Sequence, residues 1–226
     1  GWYHFGQMTN YERQGGGSGR GARGDATRSK ISEAAVELVA ELGWDAVTTR
    51  AVAARAGVNP ALVHYHFGSM DALLRGAVVA ALEQEIGPAV VPFAAEASLT
   101  DALAGAVDAL GRFDPGTPTG ALLIEAMVRA VRDPALSNLI VGSLAEFREL
   151  IAQRVRTAAA DAPTANLPPE ATGVFVAAAL DGLLLHRIVD PATDIDGFRE
   201  VLVRLFERSA PSTTTPSSSP VPGGTS

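Results

Sequence analysis

The 226-residue chain contains no cysteine, which excludes disulfides, thiol catalysis and Cys-ligated zinc or iron–sulfur sites together. Histidine is scarce as well, with four in the whole chain. Only His64 and His66 lie close in sequence, and an i, i+2 spacing on a helix points them apart, so no shared metal and no cofactor is expected. No G-x-S-x-G, phosphate loop or G-x-G-x-x-G follows a strand pattern, and the GGGSG run has linker composition, so an enzyme is not expected. No apolar run reaches the roughly 18 residues of a membrane span, because Gly, Glu, Arg or Pro interrupts the longer ones. The first residues, GWYHFGQ, lack the charged-then-apolar layout of an export signal. The expectation is therefore a cytoplasmic protein with no membrane partner. Strand-type alternation and internal repeats are also missing, which leaves an all-α fold.

What is present is apolar: 47% of residues are hydrophobic and 19% charged, enough to form a globular core. The net charge of -7 is unevenly spread. Residues 1–67 hold seven basic and six acidic side chains, while residues 68–226 hold eleven against nineteen. Arg13, Arg20, Arg23, Arg28 and Lys30 form a local cationic arm, opposed only by Glu12 and Asp25.

Residues 1–26 (with QGGGSGRGARGD) read as a flexible arm, and 209–226 (SAPSTTTPSSSPVPGGTS) as a disordered tail. Between them about nine helices are predicted from periodicity and caps. Thr27 is placed to cap the first, whose apolar stripe is Ile31, Ala34, Ala35, Leu38, Val39 and Leu42 before Gly43. Thr48 caps a second over 49–56, Asn59 a third with Pro60 in its first turn, and Ser69 a fourth that runs to Gly87-Pro88. Further helices are expected near 99–112, 119–132, 134–160, 169–189 and 194–208. The division expected is 27–75 for a first domain reaching into the fourth helix, and 76–208 for a second.

The segment TRAVAARAGVNPALVHYHFG has the steric pattern of a helix-turn-helix: small Ala53 where two helices cross, Gly57 in the turn and branched Val63 packing back between them. The wider run GWDAVTTRAVAARAGVNPALVHYHFGSMDALL closely resembles the N-terminal signature of TetR-family regulators, a likeness covering residues 27 to about 75. It rests on Gly43-Trp44, Thr48, the AGV turn at Ala56–Val58, the His66-Phe67 pair and the apolar helix opened by Ser69. The resemblance implies a three-helix DNA-binding domain, a fourth helix linking it to a larger ligand-binding and dimerisation domain, and a homodimer.

Two residues depart from the family pattern. His64 stands where many members have Tyr, and Met70 where many have a phosphate-binding Lys. Met70 cannot act as a charge there, so DNA binding and its salt slope should weaken unless another cation compensates, with Arg28 and the other arginines of the arm as candidates. By position, Asn59, Pro60, Ala61 and Leu62 should face the major groove, Asn59 pairing with adenine. His64 and Tyr65 should reach the sugar-phosphate backbone, and Thr48, Thr49 and Arg50 should bind phosphate at a helix N-terminus. Trp44 and Phe67 are expected in the core.

The segment ATGVFVAAALDGLLLHRIVD is apolar on nearly every face, so it must be buried on both sides, centrally or between subunits. The family likeness favours the second, with Phe175, Ala179, Gly182 and Leu183 on this helix and Phe198, Leu202 and Leu205 on the last helix forming a four-helix interface. That pairing would read a pseudo-palindromic operator in double-stranded DNA. Glu125, Met127, Phe147, Asp181 and His186 are the candidates for an effector pocket, being polar or adaptable groups in apolar surroundings. A small, mainly apolar effector that releases a repressor from its operator is the reading expected. The alternative is a small-molecule binding protein of the same fold with weak or no DNA binding.

Overall fold

The computed structural model describes residues 19–95, 98–161 and 167–207. Among these the chain forms α1 (Gly19–Leu42), a 3-10 turn (Trp44–Ala46), α2 (Thr49–Ala56), α3 (Pro60–Phe67), α4 (Met70–Glu85), α5 (Gly87–Ala94), α6 (Leu99–Leu110), α7 (Pro118–Ala130), α8 (Pro134–Asp161), α9 (Pro169–Val189) and α10 (Ile195–Glu207), with no strand among the described residues. The all-α expectation is met.

Two expectations about helix ends are corrected. Helix α1 begins eight residues before Thr27, so residues 19–26 are helical rather than a flexible arm. The Thr27 hydroxyl donates instead to the Arg23 carbonyl at 2.9 Å, an i to i−4 bond that satisfies it inside the helix and leaves it no capping role. Residues 1–18 of the arm, residue 208 and the tail 209–226 lie outside the described residues. The second correction is at Gly87-Pro88, where the chain bends by 55° and restarts as α5, a tenth helix beyond the nine expected. A proline in a first turn gives up no helix hydrogen bond, so this pair opens a helix as readily as it ends one.

Thr48, Asn59 and Ser69 do cap α2, α3 and α4, accepting hydrogen bonds from the Ala51, Ala61 and Ala72 amides at 3.2, 2.9 and 3.1 Å. Ile31, Ala34, Ala35, Leu38 and Val39 of α1 are buried, whereas Leu42 is left exposed at the helix end, just before Gly43 turns the chain at φ 79°.

Packing divides into two apolar clusters. The first joins Ile31, Val52, Val63, Leu73 and Val78 of α1–α4 to Leu122 and Ala126 of α7 and Leu136 of α8. The N-terminal head therefore does not stand alone, because α7 lies against both α1 and α4. The second cluster gathers α5, α6, α8, α9 and α10 around Leu103, Val107, Ile151, Val176 and Leu180. Helix α4 starts in the first cluster and ends, at Ile86, in contact with both. A displacement of its far end is consequently felt in the head, since close-packed elements transmit strain.

Candidate nucleic-acid interface and effector cavity

The crossing of α2 and α3 is set by two side chains and one glycine. Ala53 and Val63 are each 1% exposed, so neither leaves room for a larger neighbour. Gly57 sits at φ 65°, where the amides of Gly57 and Val58 bond the Ala54 and Ala53 carbonyls and close α2. A residue with a Cβ would be strained at that φ.

The outer face of this unit carries the residues expected at DNA. Pro60, Ala61, Leu62, His64 and Tyr65 of α3 are exposed, as are Thr48, Arg50 and Asn59, while Thr49 is half-buried. Tyr65 is 81% exposed, with its ring edge-on to His66 at 5.1 Å. Arg50 has no ion-pair partner among the described residues. The structure refines three roles. The Asn59 amide oxygen is committed to capping α3, so an adenine contact through that oxygen competes with the cap, and its Nδ2 is the group left to turn outward. His64 Nδ1 lies 3.2 Å from the Gly68 carbonyl, which leaves Nε2 as its outward nitrogen. Arg28 is turned toward the protein: its Nη1 donates to the His66 carbonyl at 3.2 Å and its guanidinium sits 4.7 Å above the Phe67 ring. It thereby ties α1 to the end of α3, a contact that a phosphate would have to compete with or share.

Sequence reasoning missed a clamp beside this unit. Arg55 of α2 bonds Glu37 at 2.9 Å and Glu41 at 2.6 Å on α1, which raises the Arg55 pKa and lowers that of Glu41. No helical period announces it, because the partners lie on another helix. Met70 packs partly buried against the head cluster, so its position serves apolar contact.

A cavity of about 70 Å³ lies where the two clusters meet. Its walls come from Leu82 and Ile86 at the end of α4, Ala89 and Val90 of α5, Leu110 of α6, Met127 of α7, Ile140, Ser143, Leu144 and Phe147 of α8, and Leu180, Asp181 and Leu184 of α9. Of the five effector candidates it brings together Met127, Phe147 and Asp181. Glu125 and His186 do not line it: two residues along a helix turn the side chain by about 200° and five by about 140°, so Met127 and Asp181 cannot share a wall with them. The remaining wall residues read as ordinary core in the sequence and carry no separate signal. Phe147 is held by an edge-on contact with Phe93 at 5.5 Å between centroids.

Asp181 borders the cavity on one side and the outer face of α9 on the other. Desolvation by the apolar wall raises its pKa above the usual carboxylate value, opposed in part by the charge of Arg148. An acid whose folded pKa is raised binds protons more tightly folded than unfolded, so its contribution falls as pH rises through the interval between the two values. Asp181→Asn is therefore expected to gain in melting temperature relative to wild type as pH rises from 4 to 7, measured by circular dichroism. A difference that does not change with pH would count against this placement.

The outer faces of α9 and α10 are apolar. Phe175 and Val174 are about half exposed, and Leu185, Val189 and Val201 more so. Helix α9 is long and apolar enough to span a membrane by length and composition alone, a property it shares with core helices, and a third of its most apolar window is buried. Leu205, half exposed, and Phe175 share a surface hollow with Leu167 and Phe206. A Cβ at Gly182 would meet nothing within 4 Å, and Ala179 is half-buried. Leu183 and Leu202, expected at the same interface, are 2% and 3% exposed and belong to the protomer's own second cluster, with Phe198 packed partly against it. The cause is the seating of α10 on α6, which turns Leu202 and Phe198 inward.

Comparisons with known proteins agree with this geometry. The family model described as bacterial regulatory proteins, tetR family, matches residues 31–77, and the tetracyclin repressor-like C-terminal domain matches residues 94–208. Among curated proteins, the HTH-type transcriptional regulator UidR of Escherichia coli K12 is 24% identical over 58% of this chain and 66% of its own length, just under two thirds. The HTH-type transcriptional regulator BetI of Rhizobium meliloti is 28% identical over 73% of this chain and 79% of its own. The structure of Salmonella enterica GusR superposes with a TM-score of 0.65 at 21% identity, covering 80% of this chain and 95% of that one. With its helix-turn-helix head and its helical C-terminal half both matched, this chain belongs to the tetR family of bacterial regulatory proteins.

Proposed function

We propose that the protein is a homodimeric repressor that binds a pseudo-palindromic operator in double-stranded DNA and leaves it when a small, mainly apolar effector enters the cavity. The observation that carries this reading is the junction of head and cavity. Helix α4 supplies Leu73 and Leu74 to the head cluster and Leu82 to the cavity wall, and Ile86 of the wall follows at the bend into α5. Helix α7 does the same, with Met127 on the wall and Arg129 paired to Asp45 in the turn beside the head. An effector larger than about 70 Å³ must push these walls apart. It then binds the displaced state more tightly than the DNA-bound one, which is the differential affinity that repression and release require.

The test is selection of binding sites from a random duplex library with the full chain, followed by mobility shift of the selected duplex at two salt concentrations. Two half-sites related by a dyad are expected, with affinity falling steeply as salt rises. Arg50→Ala should weaken binding across sequences and lower the salt slope by about 1 for each phosphate that Arg50 neutralises. Failure to recover any sequence-specific, salt-sensitive complex would overturn the proposal. It would favour instead a ligand-binding protein of the same fold, a reading to which the apolar Met70 at a customary phosphate contact lends weight.

A further inference from the structure

We infer that the cavity takes a ligand with an apolar body and one cationic head, an alkyl- or arylammonium, with Asp181 as its counter-ion. The inference rests on the effector reading above and names the class of ligand. Of the thirteen residues on the wall, only Ser143 and Asp181 are polar. The Ser143 hydroxyl already donates to the Leu139 carbonyl at 3.2 Å, so toward a ligand it is left as an acceptor. No basic side chain lines the space. The Asp181 carboxylate makes no hydrogen bond or ion pair among the described residues, and Arg148 acts on it only from beyond ion-pair distance.

These facts rank the ligand chemistries. Asp181 is exposed on the outer side of α9, so a neutral apolar molecule strips water only from the side of the carboxylate that borders the cavity, and offers nothing in return. An anion would meet a like charge across an apolar wall. An ammonium group offers the carboxylate an opposite charge and so restores part of the interaction that the apolar wall removes. The apolar remainder is accommodated by Leu82, Ile86 and Leu144. The size of the space limits the ligand to a small body unless the α4–α5 bend opens, since an apolar cavity that does bind benzene measures about 150 Å³.

The experiment uses three probes of one shape: benzylammonium, benzyl alcohol and benzoate, titrated into the full chain by calorimetry and ligand-observed NMR. Benzylammonium should bind at least about tenfold more tightly than the alcohol, and benzoate more weakly than either. In Asp181→Asn, shown to be folded by circular dichroism, that preference should vanish while alcohol binding stays unchanged. Equal or tighter binding of alcohol or benzoate overturns the inference, as does the absence of binding by all three. The two proposals fail separately. Benzylammonium that binds through Asp181 without weakening the DNA complex upholds this ligand class and sinks the effector reading. Release of DNA by the alcohol with no preference for ammonium does the reverse.

Discussion

An Ala53→Leu protein is expected to lose operator binding and about 1–3 kcal/mol of stability, the usual cost of forcing extra methylenes into a packed site. Ala53 is 1% exposed at the point where α2 meets α3, with Val63 equally enclosed from the other helix. The isobutyl group has no free volume to occupy, so it must lever the two helices apart. Binding suffers more than stability, because base and phosphate contacts require α3 and the N-terminus of α2 in one fixed relation. Ala54→Leu, one residue along on an exposed position, is the control and should change stability by no more than about 0.5 kcal/mol. Urea denaturation and mobility shift on a selected duplex measure both effects. An Ala53→Leu protein that bound as tightly as wild type would mean that this crossing does not set the DNA-reading surface.

Phe175→Glu is expected to convert the proposed dimer to a monomer and to lower operator affinity by at least about 100-fold. Phe175 is 53% exposed, so in the protomer roughly half of its surface waits to be covered. Burying that half contributes about 1 kcal/mol, and a two-fold interface counts every residue twice. Glutamate removes this gain and adds two carboxylates that must lose water against an apolar partner, at several kcal/mol more. Loss of DNA affinity follows because a dimer binds its second half-site at high effective concentration and a monomer does not. Leu183→Ala makes the contrast. Leu183 is 2% exposed within its own protomer, so its truncation should cost about 2–5 kcal/mol of folding stability without selectively dissociating the dimer. Sedimentation velocity at micromolar concentration separates the two. A Phe175→Glu protein that sediments as a dimer would remove the outer face of α9 from the interface.

Local features of the head were legible in the sequence because their causes are local. Thr48, Asn59 and Ser69 cap the helices they precede, and Gly57 adopts the positive φ its turn needs. Each depends on atoms within a few residues, and so does the apolar stripe of α1 up to Val39. The cavity was legible only in part. Met127, Phe147 and Asp181 stood out as unusual groups in apolar surroundings, but Glu125 and His186 stood out equally, and only the angle each residue takes around its helix separates them.

What the tertiary structure decided was every relation between distant segments. Arg28 as a link between α1 and α3, Arg55 bridging to Glu37 and Glu41, and Arg129 bound to Asp45 are ion or hydrogen-bond partnerships of residues 14 to 84 positions apart. No periodicity encodes such partners. The two faces of the near-uniformly apolar α9 were likewise indistinguishable by composition, since Leu183 and Leu185 are the same residue. Packing against α8 buries the first and leaves the second in the open. The sequence alone thus determined all the helices but α5 and the start of α1, the turn, and the family of the head. Which side chains of the C-terminal half line a cavity, fill a core or stay exposed on an outer face was settled by how the helices pack, because hydrophobic burial is non-directional and takes its geometry from the fold.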